Sequence, residues 1–283
     1  MHQLLDSVIK KYSAEEILQI CKVLNKDYNI YDSEDVRWAK LKYVLYKTSD
    51  DEIRLLREQY LSNRVVNDLI FQYYHCERVI KYYFIKHLKK KPNHIVAFEM
   101  SIGGSRVDIC RINGSSYAYE IKTEYDTFDR LSTQMEDYLR TFEKVYVIVP
   151  SMRVEAIKPL VPNSCGIIAY RITDSHEAFF SYFRKAEKNQ CDITLCLESL
   201  SSNDLSHLLR LLDEKNYRTR TEKMSRLLQI SNDKIIWKQY RQLLKNKYRQ
   251  QWGFIANNFD DILPIDIQSF FSSNMSPELL YTK

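Results

Sequence analysis

The sequence predicts an α/β fold in which a mixed sheet is flanked by helices and continued by helical segments at both ends. Five short runs rich in β-branched and apolar residues lie between about His94 and Ile172, as strands do. Segments before and after them place apolar residues at helical spacing, often behind a serine cap. Glycine is scarce, at 5 residues, which argues against an all-β protein built on tight turns.

The composition indicates a folded protein, since 45% of the 283 residues are hydrophobic. This length suits one large domain or two small ones.

The six cysteines form no Cys-x-x-Cys pair and have no histidine at zinc-finger spacing, so we expect reduced, mostly buried thiols. The chain starts without the pattern of a secretory signal, and no apolar run approaches the roughly 20 residues that span a bilayer. We therefore expect a soluble, cytoplasmic protein that does not enter a membrane.

Residues 1–73 are predicted to form a helical accessory region. Ser13 and Ser49 are each followed three residues later by a glutamate, the capping-box pattern that begins a helix. The segment contains no motif with recognisable chemistry, so the sequence assigns it no function.

A long helix is predicted from about Asn63 to Lys90. Within it, Glu77 is in line with an apolar stripe through Ile80 and Phe84, so its carboxylate should face the protein body. Alternatively, Glu77 forms an ordinary helical ion pair with Lys81. Residues 78–91 carry six Lys or Arg and no acidic residue, which suits either phosphate contacts or a solvated helix end.

The central prediction is a hairpin with chemical groups at one end. Its strands, Arg106 to Ile112 and Tyr117 to Thr123, flank Asn113-Gly114, a strong turn signal. Because side chains alternate along a strand, Glu120 and Lys122 project from the same face, and Asp108 on the partner strand comes near them.

Two carboxylates and a lysine suit phosphodiester hydrolysis. Carboxylate oxygens hold Mg²⁺ while leaving it several waters, and the ion can acidify one of them. Lysine can orient that water or assist its deprotonation. The alternative is a surface ion pair between Glu120 and Lys122 with no chemical role.

A helix with one apolar face follows the hairpin. Gln134 is a polar residue on that face, beside Leu131, Met135 and Tyr138, and burial would oblige it to hydrogen-bond. Tyr138 is expected to pack rather than to take part in chemistry.

The order of these residues resembles the PD-(D/E)XK nuclease superfamily, especially its RecB-like branch and a group of small, stand-alone bacterial nuclease-like proteins. The resemblance covers roughly residues 74–172, and Val107 stands where the superfamily's name has proline. It rests on these stretches and positions: Ser105-Arg106-Val107-Asp108, Tyr119-Glu120-Ile121-Lys122, Asp126, Arg130-Leu131, Gln134 and Tyr138.

The resemblance implies a restriction-endonuclease-like core and assigns roles to its residues. Asp108, Glu120 and the Ile121 carbonyl would hold Mg²⁺ or Mn²⁺, and Lys122 would position or deprotonate the attacking water. Glu77, from the helix before the strands, and Gln134 would complete the catalytic site, with Glu99 as a second candidate for the extra carboxylate. Nucleic-acid contacts are expected from Arg106, which could instead pair with a carboxylate, and from Arg130.

From Thr173 onward the patterns are helical and the charge becomes strongly basic. Residues 215–250 hold eleven Lys or Arg against two acidic residues, a balance suited to nucleic-acid phosphates. Lys238, Arg241 and Lys245 lie on one predicted helical face. The interleaved aromatic residues could stack on bases, although we favour core packing for most of them.

These observations predict three regions, 1–73, 74–172 and 173–283, and a Mg²⁺- or Mn²⁺-dependent nuclease acting on nucleic acid, with DNA as the expected substrate. Two alternatives stay open. One is a catalytically inactive nuclease fold that only binds nucleic acid. The other is an RNA-directed nuclease.

Overall fold

The computed structural model describes residues 3–89, 94–102, 104–230, 233–272 and 281. Its centre is a mixed sheet with helices on both faces, as predicted, although the sheet has six strands and not five. The strands are β1 (Ile95–Ile102), β2 (Ser105–Ile112), β3 (Ser116–Ile121), β4 (Lys144–Pro150), β5 (Gly166–Ile172) and β6 (Ala178–Arg184).

The strands lie in the sheet in their order along the chain. The pairs β1–β2, β2–β3 and β5–β6 are antiparallel, whereas β3–β4 and β4–β5 are parallel. The predicted hairpin is confirmed, with Ile112 opposite Ser116 across a loop in which Asn113 Oδ1 accepts the Ser115 N–H. Helical connections separate the parallel strands because a tight turn cannot join them.

Helices pack on both faces of the sheet, and the helices that precede it in the sequence also pack against one another. The helices before the sheet are α1 (Gln3–Ile9), α2 (Ala14–Asp27), α3 (Glu34–Val44), α4 (Asp50–Gln59), α5 (Ser62–Tyr73) and α6 (Glu77–Lys89). The later ones are α7 (Leu131–Leu139), α8 (Val154–Ile157), α9 (Ile193–Glu198), α10 (Ser202–Leu211), α11 (Arg220–Leu228), α12 (Asp233–Asn258) and α13 (Ser269–Ser272). Both predicted capping boxes, at Ser13 and Ser49, are present.

The prediction of a single helix from Asn63 to Lys90 is wrong, because residues 74–76 interrupt the helix between α5 and α6. Tyr74 has an extended backbone, and the Cys76 carbonyl accepts the first N–H groups of α6, from Val79 and Ile80. Glu77 therefore stands in the first turn of a new helix. The end of the basic stretch 78–91 lies outside the described residues.

A helical reading of all residues after Thr173 is also wrong, since β6 extends the sheet. Its sequence, Ala-Phe-Phe-Ser-Tyr-Phe-Arg, is aromatic, as strands often are. As an edge strand with one neighbour, it leaves Phe179, Tyr182 and Phe183 exposed, so the inward–outward pattern is weak.

Three apolar clusters stabilise the molecule. The first cluster lies between one face of the sheet and the helices α7 and α9 to α12. The second cluster lies between the other face of the sheet and α6. The long helix α12 contributes Tyr240 and Leu243 to the first cluster and Trp252 to the second. The third cluster joins α1 to α5 and the start of α6. Most aromatic residues of the basic segment therefore pack in the core, as expected.

Within the described ranges, no helix combines the length and apolar character needed to cross a bilayer.

Candidate active site

Asp108 and Glu120 lie opposite one another on β2 and β3, where the two strands separate. The regular pairing between these strands reaches Ile109 and Tyr119. Beyond that pair, Asp108 Oδ2 accepts the backbone N–H of Ile121 at 2.7 Å. Both carboxylates are buried. The Asp108 side chain thus takes the place of a backbone hydrogen bond between the strands. Both carboxylates lie where β2 and β3 separate.

Glu99 approaches Asp108 from the opposite side, on β1. Its backbone φ is 54°, which an L-residue adopts at a cost of roughly 1–3 kcal/mol. Regular pairing resumes on either side, with Phe98 opposite Ile109 and Met100 opposite Val107. The strained residue shifts the alternation of β1, since Ala97 and Met100 belong to the same cluster. This irregularity aims the Glu99 side chain at the site.

The ammonium group of Lys81 lies among three carboxylates. Lys81 is 1% exposed and forms ion pairs with Glu77, Glu99 and Asp108, the last at 3.3 Å between Nζ and Oδ1. Carboxylate oxygens of these three acids lie within 4.8 Å of one another. The cluster is therefore built to surround a positive charge.

Glu120 is held by a second set of contacts. Lys122 Nζ lies 2.9 Å from Glu120 Oε1, and the Tyr138 hydroxyl lies 2.9 Å from Oε2. The same hydroxyl is 2.7 Å from the Arg106 carbonyl. Nearby on α7, the Gln134 Oε1 atom is buried and has no hydrogen-bond partner within the described part of the chain. Tyr138 therefore orients a site residue, besides packing in the core.

Burial changes the ionisation of these groups. Burial raises the pKa of Asp108 well above its usual value, and the Glu77 and Glu120 carboxylates add to the shift. Burial also raises the pKa of Glu120, although Lys122 opposes it. For Lys81, burial lowers the pKa, but the surrounding carboxylates outweigh it and the net pKa is raised. The ammonium therefore stays charged at neutral pH.

The structure places Glu77, Asp108, Glu120, Lys122 and Gln134 in one region. Glu77 and Asp108 share Lys81, Glu120 pairs with Lys122, and Tyr138 contacts both Glu120 and Gln134. It also contains the alternative pair, Glu77 with Lys81. Glu120 is outside the trio of close carboxylates, which Glu99 joins instead.

Sequence reasoning missed the burial of Lys81, which it had placed in a stretch facing phosphates or solvent. The available signal was its position one turn after Glu77, on the same apolar side of α6.

The residues predicted to contact nucleic acid differ in their exposure and in their contacts. Arg106 is largely exposed, and its Nε lies 2.7 Å from Glu99 Oε2. Arg130 is exposed where α7 begins. On α12, Lys238 is exposed, whereas Arg241 and Lys245 are half-buried.

Several cations of residues 215–250 make internal contacts. Arg226 pairs with Glu214, Lys247 with Asp204, and Arg241 with Glu143. Arg220 and Lys223 donate to backbone or hydroxyl oxygens of residues 198–202. The cations free to meet a ligand are thus fewer than the eleven counted from the sequence.

Comparison with known proteins adds a family relationship. The profile of a family described as bacteriophage P4 protein cII matches residues 72–270, which include the whole sheet. Protein cII of Enterobacteria phage P4 is 27% identical over 108 residues, which make up 36% of this chain and 41% of that protein. A solved structure of a protein of unknown function from Silicibacter pomeroyi has 16% identity and a TM-score of 0.31, with 48% of this chain and 88% of that chain covered.

Proposed function

The chain belongs to the bacteriophage P4 protein cII family, and we propose that it is a Mg²⁺- or Mn²⁺-dependent nuclease with a restriction-endonuclease-like core of the PD-(D/E)XK type. One observation carries the proposal. Asp108, Glu120 and Lys122 meet where β2 and β3 separate, and α6 brings Glu77 to the same place. DNA is the proposed substrate.

The donors at this site fit a hard divalent cation. Asp108, with Glu77 or Glu99, supplies carboxylate oxygens close enough to share one ion. Glu120 can join them if its contacts with Lys122 and Tyr138 rearrange. In a strand, the N–H and C=O of one residue point to the same side, so the Ile121 carbonyl faces the gap where Asp108 meets its N–H. A bound ion would acidify a water and offset charge on a phosphate.

The remaining groups suit the handling of a water molecule. Lys122 is half-buried and held 2.9 Å from Glu120, so its ammonium can orient an attacking water and assist loss of its proton. The Gln134 Oε1 atom, which has no hydrogen-bond partner among the described residues, can accept a hydrogen bond from that water. Arg106, exposed beside Glu99, is placed to contact a phosphate.

The rival function is a nuclease fold that binds nucleic acid without cutting it. Lys81 favours this alternative, since its ammonium already neutralises the carboxylates that would hold a metal. The two functions differ in what divalent cations do. A nuclease needs them for turnover, whereas a binding module is indifferent to them.

The deciding experiment incubates purified protein with circular DNA, linear DNA and RNA, in Mg²⁺, Mn²⁺ or a chelator. We expect metal-dependent cleavage of DNA. Asp108→Ala and Glu120→Ala should abolish cleavage and weaken Mn²⁺ binding, because each removes an anionic ligand. Glu136→Gln, at an exposed position of α7, is the matched control and should cut normally. Undiminished cleavage by both site variants would refute the assignment, and cleavage of RNA alone would replace the substrate.

A further inference from the structure

A cavity lies between the first half of α12 and the segment that follows β6. Its volume is about 450 Å³. Its walls include three cations and an aromatic ring: Lys188, Lys234, Arg241 and Trp237. We propose that this cavity binds one nucleotide, with the phosphate on the cations and the base against Trp237. The inference rests on the nucleic-acid partner of the proposed function and adds a binding position distinct from the candidate active site.

The cavity has a surplus of positive charge. Glu143 is the acidic residue in its wall, and both of its oxygens are engaged. Oε1 lies 3.2 Å from Lys188 Nζ, while Oε2 lies 3.3 Å from Arg241 and accepts the Ser116 N–H at 2.9 Å. A buried carboxylate thus orients two cations without neutralising the third, Lys234, which makes no ion pair within the described residues. This arrangement favours an anion with several oxygens, as a phosphate has.

Trp237 provides the surface for a base. Its ring is half-buried in the cavity wall and is held at a right angle to Tyr240, with 5.7 Å between ring centroids. A ring fixed on one side and accessible on the other suits stacking, which contributes about 1–3 kcal/mol per base in proteins that bind single strands.

The cavity and the candidate active site lie at opposite ends of β3. Glu143 contacts Ser116, the first residue of that strand, whereas Glu120 and Lys122 stand at its far end. At about 3.3 Å per residue, the separation is roughly 17 Å along the strand. The proposed nucleotide position is therefore separate from the candidate active site.

Tryptophan fluorescence tests this inference, because Trp38 and Trp252 are buried, whereas Trp237, the third tryptophan, is half-buried and lines the cavity. Full-length Glu120→Gln protein is titrated with dT12 and with dTMP in chelator, so that neither cleavage nor a metal contributes. We expect dT12 to quench the emission and Trp237→Phe to lose that signal. Lys234→Glu should weaken binding of labelled dT12 at least five-fold by anisotropy, while Arg54→Glu, at an exposed position of α4, changes it less than two-fold.

The two ligands distinguish the source of the nucleotide. Stronger quenching by dT12 than by dTMP supports a site for a nucleic-acid strand, and equal quenching supports a site for a free nucleotide. Absence of quenching by either, or anisotropy that is unaffected by Lys234→Glu, overturns the inference. Since the assay contains no metal, a protein that cuts DNA normally could still fail it, and an inactive protein could pass it.

Discussion

At the scale of single residues, the site depends on how a buried lysine and three carboxylates share charge. Lys81 contacts Glu77, Glu99 and Asp108 at once. A buried ion pair gives little net stability, but removing one partner leaves the others uncompensated. The lysine therefore holds the cluster together in the absence of a metal, and it competes with any metal that binds there.

Lys81→Met should destabilise the protein by about 3 kcal/mol without metal, near the low end for a broken buried pair because Glu77 is half-exposed. Mn²⁺ should then stabilise the variant more than the parent, since no ammonium competes for the carboxylates. Thermal melts with and without Mn²⁺ measure both effects.

Lys86→Met is the matched control, because its ion pair with Glu177 is exposed and worth little. A variant of Lys81 that is destabilised but indifferent to Mn²⁺ would argue for a purely structural cluster and for the non-cutting alternative.

Lys122→Ala should keep metal and DNA binding but lose turnover. Its proposed task concerns the attacking water, and loss of a positioned acid–base group costs about 10²–10⁴ in rate. Single-turnover cleavage at saturating DNA isolates this step from binding. An unchanged rate constant would return Lys122 to the status of an ion-pair partner of Glu120.

At the scale of elements, α12 has an apolar side that packs on the sheet and a polar side that carries cations. Its apolar residues contribute to the clusters on both sheet faces, and its polar side carries cations with different surroundings. Lys238 is exposed, but Arg241 is bound to Glu143. Lys238, Arg241 and Lys245 thus lie on one side of α12, although they differ in exposure and in contacts.

Charge reversal of Lys238, Arg241 and Lys245 together should weaken DNA binding for all sequences alike. Each lost phosphate contact should also remove roughly 0.9 from the slope of log affinity against log salt on duplex DNA. A salt titration in a Glu120→Gln background measures both without cutting.

Reversing Lys42, Arg54 and Arg57, which are exposed on α3 and α4, makes the same change in charge and should have little effect. If both triple variants weaken binding equally, net charge accounts for the loss and the face on α12 has no special part. Identical affinity of the α12 variant and the parent would exclude the face altogether.

At the scale of the whole molecule, the C-terminal helices complete both cores of the sheet. Leu205, Leu208 and Leu243 belong to the cluster on one face, and Trp252 and Ile255 to the cluster on the other. Removing them would expose large apolar surfaces of the sheet, at a cost of roughly 25 cal/mol per Å². Residues 74–172 therefore depend for their stability on residues beyond that segment.

A chain that ends at Ile172 should consequently fail to fold cooperatively, because it lacks β6 and every helix from α9 onward. Circular dichroism melts of this fragment and of the full chain are the measurement. Leu208→Ala in the full chain should lower stability by about 2–5 kcal/mol, whereas Leu228→Ala, at an exposed position, should have little effect. A sharp, reversible melt of the fragment would show that residues 1–172 fold independently.

Local patterns in the sequence determined the mixed sheet, the capped helices and the hairpin that brings Asp108, Glu120 and Lys122 together. These features depend on strand alternation, turn geometry and capping, which act over a few neighbouring residues. Aromatic composition at 178–184 was a comparable local signal for β6, but the edge position hid its alternation.

Only the tertiary structure decided which groups surround that hairpin. Lys81 and Glu99 meet because α6 packs on the sheet and β1 adopts a positive φ at Glu99. Arg241 is drawn to Glu143, which lies 98 residues earlier in the chain. Such contacts depend on how whole elements pack, and the free energy of packing is not encoded in the spacing of nearby residues.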